Sequence, residues 1–481
     1  MNGAMKTQEI SKSIMSDASR RIEKLREGKY IAGDFGLEIV KPPWFDEAKF
    51  TRGQKLSKDN LVCVFLADLL FLLTVFSSPR ILRTLILTGK SSCPFTALNR
   101  YVATIRAVVS WHNGDIWNPE DLAHKFLRHV MTSHKSLYTI ANFQRKEEVD
   151  RIEVEENPMV QITGMYKKIR ASNEEQSRST KCDGNAKNTN HITPKMKIQP
   201  DFDQAKERPR TSSNVQASIK KHNFSLSNDE FTPSKDTARK RSQQDHNPNF
   251  SSNYNQVPSS RNSDSKMSES VRSDKSPPKV DESIPNHNIP YVSQWDLLTV
   301  QYAFIASIVA HPEAFGAWNL PDEDVDGFIY YWKVLGFFLG IREEFNLCSG
   351  DLEQTRALIL AFEQEVILPA FEEVDHNFEH MSLALMGGIN MMVPLVNYPS
   401  ALMYLLTALG ADTATIYKSL TLREKAIYHF LNCVTYSCRV RLIRNMFSSL
   451  LEICLDLIEG HGPWWWPRIL APKNTISPRV P

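Results

Sequence analysis

Cysteine and glycine are both scarce in this sequence, at 7 and 19 of 481 residues. The cysteines (Cys63, Cys93, Cys182, Cys348, Cys433, Cys438 and Cys454) form no CxxC pair and are odd in number. That excludes a disulfide framework and a zinc ribbon, and it fits a reducing compartment. Glycine-dependent motifs are missing as well. There is no GxSxG elbow and no GxxxxGK[ST] loop, and the lone Thr88-Gly89-Lys90 lacks the leading glycine of a phosphate cradle, so hydrolase and nucleotidase readings lose their usual support. HExxH and EF-hand patterns are also absent. Neither charge dominates: 57 Lys and Arg against 55 Asp and Glu leave a formal net charge of +2. Nothing in that balance demands nucleic acid or an anionic surface, and no clear nucleic-acid partner is expected.

No apolar run is long enough to cross a bilayer. The most hydrophobic stretch, Leu61 to Phe76, falls short of the roughly 20 residues a spanning helix needs and carries Asp68 near its middle. It reads as a buried core helix. The first thirty residues alternate charged and small polar side chains without the apolar core of a signal peptide. An intracellular protein is expected, with peripheral membrane contact left open.

What is present is a helical pattern interrupted once. Between about residues 145 and 290 large apolar side chains thin out, Trp disappears, and Ser and Asn become frequent. Such a stretch buries too little apolar surface to offset the roughly 1–2 kcal/mol per residue of backbone ordering entropy. The expected organisation is a polar segment over 1–41, a first helical half over 42–142, a disordered insertion over 143–290, a second helical half over 291–460 and a tail over 461–481. Basic clusters in the insertion, near Lys221 and Arg239, read as solvated charge.

The flanking blocks carry helix-start chemistry and almost no alternating β pattern, so the fold class expected is all-α, a single helical bundle domain. Asn118 before Pro119 predicts a helix running to about Asn142. Ser293 with Asp296 and Pro321 with Asp322–Asp324 predict two more starts, Ser349 a fourth running to the break at Pro369, and Thr421 with Glu424 a capping box.

Candidate site residues follow from helical geometry. On a helix from about Ala97 to Trp111, Arg100, Ala103, Thr104, Ala107, Val108 and Trp111 share a face, cationic at one end and otherwise small and apolar. On the next helix His134 lies within a turn of Val130, Met131, Leu137 and Tyr138, so its imidazole faces an apolar seam and needs a partner. The three polar residues are expected to converge on one buried site between two helices. His124, His129 and His134 do not form a metal site along one helix, because a five-residue step turns about 500° and leaves neighbours about 140° apart. Gly336 and Gly340 within YYWKVLGFFLG permit close helix packing or the approach of a flat macrocycle. Cys348 reads as a small buried side chain, and Trp464–Trp466 as a cover for an apolar patch or an anchor at a membrane interface.

These segments carry a resemblance. The string TGKSS with the following RYVAT, then FLRHVMTSH, SQWDLLTVQYAFIASIVAHP and GFIYYWKVLGFFLGIREEFNLCSGDLEQTRA, resembles the rubber oxygenase (latex clearing protein) catalytic domain family. That family includes the endoplasmic-reticulum-bound oxygenase of mycophenolic acid biosynthesis. The resemblance covers about 42–142 and 291–459. It implies an all-helical domain with haem b between helices, His134 as axial ligand of the haem iron, and Arg100 and Thr104 as catalytic and haem-pocket residues. It further implies O2 as co-substrate, an apolar isoprenoid or lipid substrate, and a cytoplasmic location or one peripheral to the endoplasmic reticulum membrane.

The sequence departs from that family in three places. Ala103 stands where the rubber-cleaving branch has a distal lysine, Met131 replaces an arginine near the axial histidine, and no Asp or Glu occurs between Asp68 and Asp115 to serve as an upstream base. The expectation is therefore a haem-dependent oxidoreductase, with the alternative of a non-catalytic haem-binding or haem-free helical protein whose insertion binds a partner.

Overall fold

Apolar side chains at helical spacing, with few turn residues to interrupt them, produce a structure without strands among the described residues. The computed structural model describes residues 2–170, 289–392 and 396–461, and its only β contact there is an isolated bridge between Ala32 and Ser293. The first part of the chain comprises α1 (Asn2–Arg26), α2 (Glu47–Asp59), α3 (Leu61–Phe76), α4 (Pro79–Leu87), α5 (Pro94–Asn113), α6 (Leu122–Thr139), α7 (Lys146–Arg151) and α8 (165–170). The second comprises α9 (Gln294–Ala310), α10 (Asp322–Phe338), α11 (Leu352–Phe362), α12 (Leu368–Ala370), α13 (His376–Met392), α14 (Tyr398–Ala408), α15 (Ala414–Ser419), α16 (Leu422–Ser437) and α17 (Arg441–His461).

The two parts interdigitate rather than lie side by side. The most extensive interhelical contacts pair α2 with α10, α5 with α13, α1 with α11 and α3 with α9. Helices before residue 171 and after residue 288 belong to one compact unit. Where α2 crosses α10, Gly53 faces Gly327, and a methyl group on Gly53 would overlap the Gly327 carbonyl. Only paired glycines allow that approach. Gly336, on the same helix α10, is packed against the Gln301 side chain of α9, so it serves helix packing. The Asn142 side chain stitches the two parts together: Nδ2 donates to the Tyr291 carbonyl at 3.0 Å and Oδ1 accepts from the Tyr291 amide at 2.8 Å.

Caps decided several boundaries differently from the sequence expectation. Helix α6 is capped by Asp121, which accepts from Ala123 N, whereas Asn118 turns back onto Glu120 N in the preceding loop. Helix α11 is capped by Asp351 in a box with Gln354, and Ser349 instead donates to the Glu343 carbonyl. The helical path then continues through a π-helical turn, Glu363–Ile367, and past Pro369. Ser293 with Asp296 and Thr421 with Glu424 are capping boxes as expected.

Packing extends into the segment read as polar and into the start of the one read as disordered. Ile22 and Leu25 of α1 are fully buried, and α1 lies on α11. Order extends past residue 142: Val149, Met165 and Ile169 are buried, and the Glu379 carboxylate accepts from Thr163 N and Oγ1 at 2.7 and 2.6 Å. The expected disordered stretch falls largely on residues 171–288, and the tryptophans of the tail on 462–481, outside the described residues. Among the described residues no single helix is long and apolar enough to cross a membrane; α2 and α3 together pass by length and composition but meet at a bend of 87°.

Candidate functional site

Helix α5 begins with Cys93 in a reciprocal capping box with Thr96 and with Pro94 at its first position, which fixes where the following turns point. Arg100 lies close enough to the α4–α5 turn for its guanidinium to donate to Thr88 Oγ1 at 2.8 Å and Ser91 Oγ at 3.1 Å. Thr104, one helical turn on, donates its hydroxyl hydrogen to the Arg100 carbonyl at 3.1 Å, which leaves its oxygen lone pairs outward.

His134 lies near the C-terminal end of α6, where its Nδ1 is 3.3 Å from the Leu339 carbonyl at the end of α10. Burial lowers its pKa, with the Leu339 hydrogen bond opposing, so the imidazole is neutral at pH 7. A neutral ring that donates from Nδ1 to a carbonyl carries its lone pair on Nε2. That nitrogen has no hydrogen-bond partner among the described residues. Each of the three residues expected to converge is hydrogen-bonded to a different neighbour, and Thr104 is exposed rather than buried. Arg100 is held by the hydroxyls of the α4–α5 turn and His134 by the end of α10, and no hydrogen bond joins them among the described residues.

Thr104 belongs to a different constellation. It lines a cavity of about 30 Å³ between α3 and α5, capped by Phe304 of α9. The α3 wall is Leu61, Val64, Phe65, Asp68, Leu69 and Leu72; the α5 wall is Tyr101, Thr104, Ile105, Val108, Val109 and His112. Each set repeats at i, i+3, i+4, i+7, i+8 and i+11, so one full face of each helix forms a wall.

The cavity is apolar apart from Asp68, His112, Thr104 and Tyr101. Asp68 Oδ1 and both ring nitrogens of His112 are sealed from solvent with no hydrogen-bond partner, as is the hydroxyl of Tyr331, whose ring centroid lies 5.2 Å from that of His112. Burial pushes the Asp68 carboxyl well above the usual carboxylate range and drives the His112 imidazole down to about 3. His112 is therefore uncharged at pH 7, with acceptor capacity, while the upward shift of Asp68 favours its protonated, donor form. Leaving such groups unpaired costs about 1–3 kcal/mol each. Asp68 was visible in the sequence as a lone acid in an apolar run. That it shares a cavity with His112 was not, because the two lie on separate helices.

The cavity holds about one water molecule's volume and does not fit a haem macrocycle. The donor chemistry of His134, a neutral imidazole with Nδ1 engaged and Nε2 available, does fit an axial iron ligand. Among the described residues no group of three or more His, Cys, Asp or Glu side chains could hold a bare metal ion. Cys348 is buried and its thiol pKa raised by burial, which makes it a packing side chain. No protein-family model, curated protein or solved structure matches this chain.

Proposed function

We propose that this chain is a haem-dependent oxidoreductase, an oxygenase of the rubber-oxygenase type that acts with O2 on an apolar isoprenoid or lipid substrate. His134 would hold the haem iron, and Arg100 and Thr104 would line the haem pocket. The observation that carries the reading is the hydrogen bond from His134 Nδ1 to the Leu339 carbonyl, which fixes the tautomer an iron ligand requires. Bound haem b would supply an iron centre with an open face for O2. The protein's part is to keep His134 neutral through burial and to orient its ring through a backbone carbonyl. Arg100 is held as a fixed cation by Thr88 and Ser91. Asp68, whose pKa burial raises, lines the same largely apolar cavity as Thr104.

Purified protein expressed with adequate haem should show a Soret band that shifts on reduction under carbon monoxide. The band should vanish in His134→Ala while helicity persists. A colourless, folded wild-type protein would sink the reading. The second reading, a non-catalytic haem-binding or haem-free helical protein that engages a partner, is favoured by the divergence of Arg100 and His134 toward different neighbours. Haem-replete protein that consumes no O2 with isoprenoid or lipid candidates would support it.

A further inference from the structure

Eight of the sixteen large apolar side chains exposed among the described residues lie between Leu422 and Ile453. Four of them, Leu442, Met446, Leu450 and Ile453, are 54–78% exposed and occupy one line along α17. The opposite face of α17 is also apolar: Leu451 and Leu455 are buried in a small core with Leu61, Leu98 and Val102, and Ser448 Oγ accepts from Val62 N. A helix glued to its protein by one apolar face ordinarily turns polar side chains outward. This one turns out leucine, methionine and isoleucine.

The charge on this helix is segregated along its length, with arginines at its start and acids in its second half. Arg441 and Arg444 lie in its first turn, Arg439 just before it, and no acid occupies that turn. Cations at a helix N-terminus oppose the macrodipole, so helix stability does not account for them. The acids of α17, Glu452, Asp456 and Glu459, all lie in its second half, and no Asp or Glu occurs from Cys438 to Leu451. An apolar stripe headed by the exposed Arg439 and Arg441, beside the exposed Tyr436 and Val440, has the chemistry of an anionic bilayer interface: acyl chains against the stripe, phosphates against those two arginines.

We propose that the α16–α17 face is a lipid-docking surface that seats this protein on an anionic membrane. Leu61, Phe65 and Ile105, against which the inner face of α17 packs, also line the cavity at Thr104. Arg106 further ties α5 to the Leu455 carbonyl. The bilayer would therefore lie about one helix diameter, 10–12 Å, from Thr104. Resting on the oxygenase reading, this names bilayer-dissolved molecules as the source of apolar substrate.

The test is flotation of the full chain with vesicles of phosphatidylcholine alone and of phosphatidylcholine mixed with phosphatidylserine. Binding is expected to the mixed vesicles, to fall with salt, and to drop at least about tenfold in the double variant Leu442→Asp/Met446→Asp. Arg441→Glu should remove the preference for phosphatidylserine. Helicity and melting temperature should be unchanged, because the altered side chains are exposed. Absence of binding, or binding indifferent to the double variant, overturns the proposal. So does a wild-type dimer that the double variant converts to monomer, which would make a second copy the occupant, or binding that appears only after removal of residues 462–481, which would make the tail the occupant. The Soret band is read on the same samples: its absence with vesicle binding intact defeats the haem reading and leaves the docking surface standing.

Discussion

Asp68 and His112 set opposite pH dependences on the same cavity. The His112 pKa falls from about 6.5 in the unfolded chain to about 3 in the fold. The unfolded state therefore binds the extra proton between those values, and stability is lost as pH falls through that window. Asp68 is raised well above the usual carboxylate range, so the folded state keeps its proton longer and stability is lost as pH rises above about 4 toward the raised value. Replacing His112 with Phe should flatten the acid limb of a stability profile by a few kcal/mol. Asp68→Leu should stabilise the protein at pH 8 relative to wild type. Denaturant melts between pH 4 and 8 measure both. An acid limb unchanged in the Phe variant would show that His112 is hydrogen-bonded in solution.

Glu363 is a second buried carboxylate whose role is set residue by residue. It is 1% exposed, accepts from Tyr302 OH at 3.1 Å, and contacts His311 Nε2 at 3.0 and 2.9 Å. Removing one member of such a set strands the others, so Glu363→Ala should cost about 3–5 kcal/mol. A thermal shift of less than a few degrees would mean that solvent reaches this cluster.

At the scale of elements, the crossing of α2 and α10 is the most sensitive contact. Gly53→Ala would push a methyl group into the Gly327 backbone, which cannot move as a flexible side chain could. Overpacking of that kind costs about 1–3 kcal/mol, and the denaturation midpoint of the alanine variant reads it. A neutral result would require the two helices to slide apart without cost. The same scale shows where sequence patterns sufficed. The capping boxes at Ser293 and Thr421 are local hydrogen-bond chemistry and were legible. The choices of Asp121 over Asn118 and of Asp351 over Ser349 were not, because two cap-forming residues stood within reach of each start and tertiary packing chose between them.

For the whole molecule, the pairing of early with late helices means that neither half has a core of its own. Fragments 1–170 and 289–481, expressed separately, should be individually unstable, should co-purify when expressed together, and should melt in one transition. Asn142→Ala removes both hydrogen bonds to Tyr291 and should lower stability by about 2 kcal/mol in the intact chain. Independent folding of either fragment would contradict the interdigitated architecture.

The sequence by itself determined that the described chain is helical, where its strongest caps lie, and that Leu61–Phe76 is a core helix, because periodicity and capping act over a few residues. Only the tertiary structure decided which side chains meet. It turned Arg100 toward Thr88 and Ser91, aimed His134 at Leu339, and brought Asp68 and His112 from separate helices to one cavity. It also left Leu442, Met446 and Leu450 uncovered. Helical spacing fixes which residues share a face, whereas the neighbour that face meets is set by packing between segments far apart in the chain.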